Sequence, residues 1–390
     1  MNIGIGAIGF IPGKMGGTET YIRNLVHSLQ EIDHENSYSI ICNSSSNRDE
    51  FPLVNPAFGT KIYNYTKPSL GWFVRGVLRN TIKTDLFKRA LDGLKFDLIH
   101  YPFTVLSPMG LVTPTVLTFW DMQHEFYPEF FSDEELRKRN ASYKPSAERA
   151  TRIIVSAEFT KQCLVEKYGI DERKIDVVYT GYGSEYRVID DTPELERIKA
   201  KYGLDRPFLY YPAATWPHKN HKTLLAALKI LKERKLFDGL LVLTGIAQQS
   251  QDLITEEIEL LGLSGMVKLL GYLPYEELPY LYNLASAMVF PSLFEGFGIP
   301  LVEAMACGCP LVCSNTTSLP EVAGNAGIMF DPNSAEDIAE KIGSIWFDDA
   351  LRQDMRSKGL EQVKLFNWAD TARNTLDVYA KTANPKQSIL

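Results

Sequence analysis

No apolar run in this chain approaches the roughly 20 residues that a helix needs to cross a bilayer. The opening MNIGIGAIGF carries no basic group ahead of its apolar stretch, so it reads as a buried first strand and not as a secretory leader. Positive charge is short as well. Forty-one Lys and Arg stand against 48 Asp and Glu, a formal charge of −7 that gives nucleic acid no electrostatic footing. Cysteine is scarce, with five residues at positions 42, 163, 307, 309 and 313. An odd number in a long chain argues against a disulfide framework. Cys307, Cys309 and Cys313 lie close together in ACGCPLVC, but no His is near. That run reads as a helix end, a Gly stop and a buried strand, so the cysteines are taken as small buried residues in a reducing cytoplasm. Internal repeats and low-complexity tracts are missing too.

What the chain has is alternation. Short β-branched runs alternate with helical patterns along all 390 residues, which is more than one core usually holds. This is the pattern of an α/β protein with doubly wound parallel sheets. Strands are predicted at Asn2–Gly9, Ser37–Cys42, Asp97–Tyr101, Thr115–Phe119, Ile153–Ser156 and Asp176–Tyr179. A second series follows at Phe208–Ala213, Leu240–Gly245, Val267–Gly271, Met288–Pro291, Leu311–Ser314 and Ile328–Phe330. The charged stretch 189–206 between them is read as a linker. It separates a Rossmann-like domain over 1–188 from a second over 207–366. A terminal helix at 367–385 follows, with Trp368, Ala372, Leu376 and Tyr379 on one stripe. Ligands of such sheets bind beyond the carboxyl ends of the strands, so facing clefts are expected to make one site.

The most informative stretch is PSLFEGFGIPLVEAMACGCPLV, from Pro291 to Val312. A strand ends, a loop carries Glu295, Gly296, Phe297 and Gly298, and a helix opens at Ile299-Pro300. Glycines before a helix let backbone N–H groups approach a phosphate, and the helix dipole favours its charge. Glu303 lies one turn in, where a carboxylate suits a sugar diol. By itself this pattern is equally that of a plain tight turn.

EGFGIPLVE resembles the E-x7-E motif of glycosyltransferase family 4, retaining enzymes of the GT-B fold. Three more segments resemble that family in the same order: GGTETYIRNL at 16–25, WPHKNHKTLLAA at 216–227 and SLPEVAGNAGIMFDP at 318–332. The closing FNWADTARNTLDVYAK is similar to its C-terminal helix, which crosses back to the N-terminal domain. The resemblance implies that Glu295 contacts donor-sugar hydroxyls and that Glu303 holds the ribose. It implies backbone contacts to the diphosphate from Gly296, Phe297 and Gly298, and a neutralising Lys219. Ile299, Gly271 and Tyr272 join the donor site, while Gly16 and Gly17 close it from the other domain. The nucleotide-sugar is a co-substrate and no cofactor is implied. The chain contains no Asp-x-Asp, the carboxylate pair with which other glycosyltransferases hold a divalent ion, so a metal-independent reaction is expected.

Two positions depart from the family. His218 stands where Arg is frequent, so either His218 contacts phosphate or Lys219 and helix ends balance the charge. Trp120 displaces the His of a His-Asp pair that approaches the acceptor, leaving Asp121 and His124 as candidates for the acceptor-side base. Between Lys61 and Lys95, eight basic residues (Lys61, Lys67, Arg75, Arg79, Lys83, Lys88, Arg89, Lys95) oppose only Asp85 and Asp92. Trp72, Phe73, Val77, Leu78 and Phe87 are interleaved with them. That pattern suits an anionic membrane surface and a lipid-linked saccharide acceptor, or simply a solvated basic face. The resemblance leaves GDP-mannose and UDP-hexoses as donors. An epimerase or phosphorylase-like enzyme, or a nucleotide-sugar-binding protein without turnover, are the alternatives. A dehydrogenase is disfavoured, because GAIGFIPGKMGG does not place G-x-G-x-x-G in register.

Overall fold

The computed structural model describes residues 1–13, 15–42, 50–63, 75 and 85–384. The chain forms two compact units: Met1–Gly181 with Asn367–Leu390, and Tyr182–Phe366.

In the first unit, seven strands form one parallel sheet. They are β1 (Asn2–Gly6), β2 (Ser37–Cys42), β3 (Phe58–Ile62), β4 (Leu98–Tyr101), β5 (Thr115–Thr118), β6 (Arg152–Val155) and β7 (Ile175–Val177), in the order β3-β2-β1-β4-β5-β6-β7. The central strands are buried throughout, as expected of a parallel sheet covered on both faces. Strand β3 was not expected from the sequence. It is an edge strand in which only Phe58 is buried, so its hydrophobic signal is a single residue.

The first helix, Gly17–Ile32, buries Tyr21, Ile22, Leu25, Val26 and Leu29. The helix Trp368–Ala383 packs beside it and seats Tyr379 in the same core. There the Tyr379 hydroxyl meets His100 Nδ1 at 2.7 Å, and His100 Nε2 meets Thr118 Oγ1 at 2.7 Å. Burial drives the His100 pKa down to about 3, so the ring is a neutral bridge between the terminal helix and β4–β5. Gly181, where the chain leaves this unit, has no alternative. A Cβ there would sit 2.4 Å from the Trp368 nitrogen.

In the second unit the strands are β8 (Phe208–Pro212), β9 (Leu240–Thr244), β10 (Val267–Gly271), β11 (Ala287–Phe290), β12 (Leu311–Ser314) and β13 (Gly327–Phe330). They too form one parallel sheet, ordered β10-β9-β8-β11-β12-β13.

The stretch 189–206 is not a linker. It is largely a helix, Thr192–Tyr202, capped by Asp191 at its start and by Gly203 in the left-handed region at its end. Ile198 is buried, and Lys201 pairs with Glu277 at 2.7 Å, so the helix belongs to the second unit, which begins at Tyr182. A short surface helix keeps most of its circumference wet, and its charged residues mimic a linker's composition.

Of the basic segment, Lys61, Arg75 and 85–95 are described, and Arg75 and Lys88 are paired with Asp85 and Asp92. Lys67, Arg79, Lys83, Trp72, Phe73, Val77 and Leu78 lie outside the described residues. All five cysteines are buried, and among the described residues none forms a disulfide. Among the described residues no helix is long and apolar enough to cross a membrane.

Candidate active site

In the second sheet the winding reverses between β8 and β11, and the loops at their carboxyl ends lie side by side. Such a reversal opens a crevice that ligands use. Main-chain bonds stitch the two loops together. Leu293 N donates to His218 O at 2.8 Å, and Ser292 Oγ donates to the same carbonyl at 3.2 Å. Asn220, in the left-handed region at φ 58°, donates its amide to Pro291 O and Pro332 O at 3.0 and 2.7 Å. Tyr211 Oη donates to Lys219 O at 2.5 Å.

That frame brings Lys219 Nζ to 2.6 Å from Glu295 Oε1, with both side chains largely buried and the ammonium 5.3 Å over the Phe290 ring. Burial alone would raise the Glu295 pKa. The charge of Lys219 and its hydrogen bond to the carboxylate outweigh it and leave the carboxyl below its usual range. His218 goes the other way. Burial first, then Lys219, lower it to about 4, against the pull of Glu295. A neutral imidazole can offer a hydrogen bond but no charge where the resemblance leads one to expect Arg.

The turn after Glu295 is held from below. Ser318 Oγ lies 3.0 Å from Glu295 O and 2.8 Å from Phe297 O, and Glu295 N donates to Thr317 Oγ1 at 3.2 Å. Gly298 has φ 110°, and a Cβ there would come 2.8 Å from the Leu319 side chain. Phe297 is buried against Phe366. The helix Ile299–Ala306 starts at Gly298 with Pro300 in its first turn and no side-chain cap, and Leu301 N donates to Gly298 O at 2.9 Å. One turn in, Glu303 accepts from Tyr282 Oη at 2.8 Å. Burial raises its pKa to about 7, opposed by the hydrogen bond from Tyr282 and helped by Glu185. Gly271 (φ 68°) and the exposed Tyr272 stand at the end of β10, two strands from β8.

Sequence reading passed over the supports: Tyr211, Asn220, Tyr282, Thr317 and Ser318. It also passed over His221, which is buried against Tyr211 at 4.8 Å with neither ring nitrogen partnered. Only Asn220's place beside Lys219 and the run Ser318-Leu319-Pro320 could have flagged any of them.

The first unit carries Gly16, Gly17, Asp121 and His124. Gly16 needs its φ of 52°, and a Cβ on Gly16 or Gly17 would meet nothing within 4 Å, so the unit's own packing leaves space beside both. Asp121 is half-buried, and its Oδ1 accepts from Gln123 N at 3.1 Å. His124 faces inward. Its ring packs edge-on against Tyr143 at 5.0 Å, its Nε2 is 3.3 Å from Tyr168 Oη, and its side chain is only 1% exposed. That burial engages the ring in the first unit's own packing. Trp120 is anchored by Nε1 donating to Pro102 O at 2.8 Å and stacks edge-on with Tyr21 at 4.6 Å.

Residues 15–185 match Glycosyltransferase Family 4, and residues 194–362 match Glycosyl transferases group 1. O-antigen chain mannosyltransferase B of Escherichia coli is 34% identical over 68% of this chain and 69% of that one. The chain belongs to glycosyltransferase family 4. Serotype-specific mannosyltransferase WbdA of Escherichia coli is 31% identical over 66% of this chain, which spans only 32% of that longer protein. Among solved structures, a glycosyltransferase from Rickettsia africae superposes with TM-score 0.73 at 20% identity, covering 99% of both chains. HepE of Anabaena, solved in complex with UDP-glucose, gives TM-score 0.74 at 18% identity over 98% of this chain and 100% of that one. The two parallel-sheet units of this family-4 glycosyltransferase are therefore those of the GT-B fold.

Proposed function

We propose that this family-4 glycosyltransferase moves a mannosyl group from GDP-mannose to a hydroxyl of a saccharide acceptor, with retention and without a metal ion. The observation that carries the proposal is the Lys219–Glu295 pair at the β8/β11 reversal, beside an uncapped helix start. Two relatives named as mannosyltransferases support the sugar.

In this reading the bond between the anomeric carbon and the diphosphate oxygen breaks while the acceptor oxygen attacks from the same face. The acceptor proton passes to the departing phosphate oxygen. Negative charge grows on that oxygen, and fixed donors placed where charge develops stabilise it most. Lys219 and the backbone amides of Gly296, Phe297 and Gly298 are those donors. Glu295 orients sugar hydroxyls and Glu303 holds the ribose. Asp121 remains the acceptor-side carboxylate. The acceptor is a lipid-linked saccharide of cell-surface polysaccharide, met on the cytoplasmic membrane face through residues 61–95.

Nucleotide diphosphate release is measured with GDP-mannose and UDP-hexoses, with and without EDTA, and the product anomer is read by NMR. Release from GDP-mannose, unaffected by EDTA, with a retained anomer is the expected result. Preference for a UDP-hexose would replace the donor, loss with EDTA would end metal independence, and an inverted anomer would sink the mechanism.

A further inference from the structure

A second opening lies wholly within the first unit, where that sheet reverses its own winding between β1 and β4. It is a pocket of about 210 Å³ at the carboxyl ends of those strands, room for a short aliphatic chain. Among the described residues its wall is almost entirely apolar: Ile8 and Phe103 from the loops after β1 and β4, Ile41 from β2, Val105, and Phe87 with Leu91 from the helix Leu86–Asp92. Protein interiors rarely leave voids of this size. Gly6 helps to keep it open, since a Cβ there would press to 3.1 Å on the ring of Tyr101. Tyr101 lines the pocket, is 95% removed from solvent, and has a hydroxyl with no hydrogen-bond partner. A buried orphan hydroxyl is unfavourable unless something supplies a partner. The helix that contributes Phe87 and Leu91 also carries Lys88 and Arg89. With Arg75 paired to Asp85 and Lys88 to Asp92, Arg89 and Lys95 are the cations in excess among the described residues of 75–95.

We infer that this pocket binds the aliphatic chain of an anionic amphiphile, with the chain among Ile8, Ile41, Leu91 and Val105 and an oxygen of the head group within reach of the Tyr101 hydroxyl. The cations of the Leu86–Asp92 helix complement the head group's charge. The inference rests on the transferase reading only for its role: the amphiphile is then the apolar part of the acceptor.

The test is calorimetric titration of the full chain with n-alkyl phosphates of two to ten carbons, below their micelle concentrations, and with n-alkanols as the uncharged arm. Each buried methylene contributes about 0.8 kcal/mol, so affinity is expected to rise roughly fourfold per carbon until the pocket is full. Val105→Trp fills the space, and Ile8→Gln makes the wall polar with little change in volume. Each flattens the chain-length dependence while the thermal midpoint stays near that of the wild type. Lys88→Glu with Arg89→Glu weakens the phosphates at every length and leaves the alkanols unchanged. Affinity independent of chain length, or equal dependence in both pocket variants, overturns the proposal. Donor hydrolysis without acceptor is followed separately. Its absence in the wild type counts against the transferase reading and leaves the binding result standing.

Discussion

Glu295 and Lys219, 76 residues apart in sequence, meet at 2.6 Å because the strands before them are neighbours at the point where the second sheet reverses its winding. The ammonium holds the Glu295 carboxyl ionised in a nearly dry place. An incoming diphosphate then finds a cation already oriented, at no cost of reorganisation. Lys219→Ala and Glu295→Ala are expected to lower kcat/KM for donor breakdown by about 10²–10³ each, with the double variant no worse than the sum of the singles in free energy. Nucleotide diphosphate release checks this. Lys219→Ala that leaves kcat/KM within a factor of three would remove the pair from the chemistry.

Glu303 gives the site a pH dependence of known sign. Its carboxyl is raised from the ordinary 4.5 to about 7. A group raised in the folded state favours folding fully below its unfolded pKa, and that contribution is lost as pH climbs through the folded one. Thermal stability should therefore decline as pH rises from about 4.5 to about 7, and Glu303→Gln should flatten that decline. Nucleotide binding runs the other way, because ribose hydroxyls donate to the ionised form. Affinity should increase between about pH 6 and pH 8 in the wild type and stay level in Glu303→Gln.

Gly298 is held where other residues fit badly, at φ 110° and 2.8 Å from Leu319 for any added Cβ. Gly298→Ala is expected to cost about 1–3 kcal/mol in stability. Because the turn also aims the helix start, donor affinity should fall by more than the stability loss alone would give. Calorimetric binding of nucleotide diphosphate at a temperature where the variant is folded separates the two effects.

His124 should behave as packing. Its ring fills the space between Tyr143 and Phe131. His124→Ala is expected to lower stability by about 1–3 kcal/mol and to leave kcat for transfer within a factor of three. A loss of transfer in a variant that remains folded would return the residue to the mechanism.

The donor half of the site was legible because its signal is local: Glu295, Gly296, Gly298 and Pro300 crowd into a few positions whose backbone demands are unusual. Likewise Lys219 stands out only because a strand ends shortly before it. What stayed hidden depends on distant partners. The raised pKa of Glu303 comes from its burial, and its hydrogen-bond partner Tyr282 is linked to it by no spacing rule. His124 looked available because its neighbours in sequence are polar. The residues that bury it, Tyr143 and Tyr168, arrive on two later helices. The helix Thr192–Tyr202 was taken for a linker for the opposite reason. Its composition is that of a solvated surface, and one buried Ile198 is too little pattern to reveal a face.

The first unit is assembled from both ends of the chain, with its last helix, Trp368–Ala383, supplying Tyr379 to His100. On a ribosome the strands β1 to β7 emerge first, yet that unit is finished last. The second unit, being contiguous, has all its strands in hand before the helix that closes the first is made. Until then His100 and Tyr21 lie against an open face. The order of synthesis thus favours a folded donor half waiting on an unfinished partner, and a chain halted after Phe366 would present that unclosed face to chaperones and proteases.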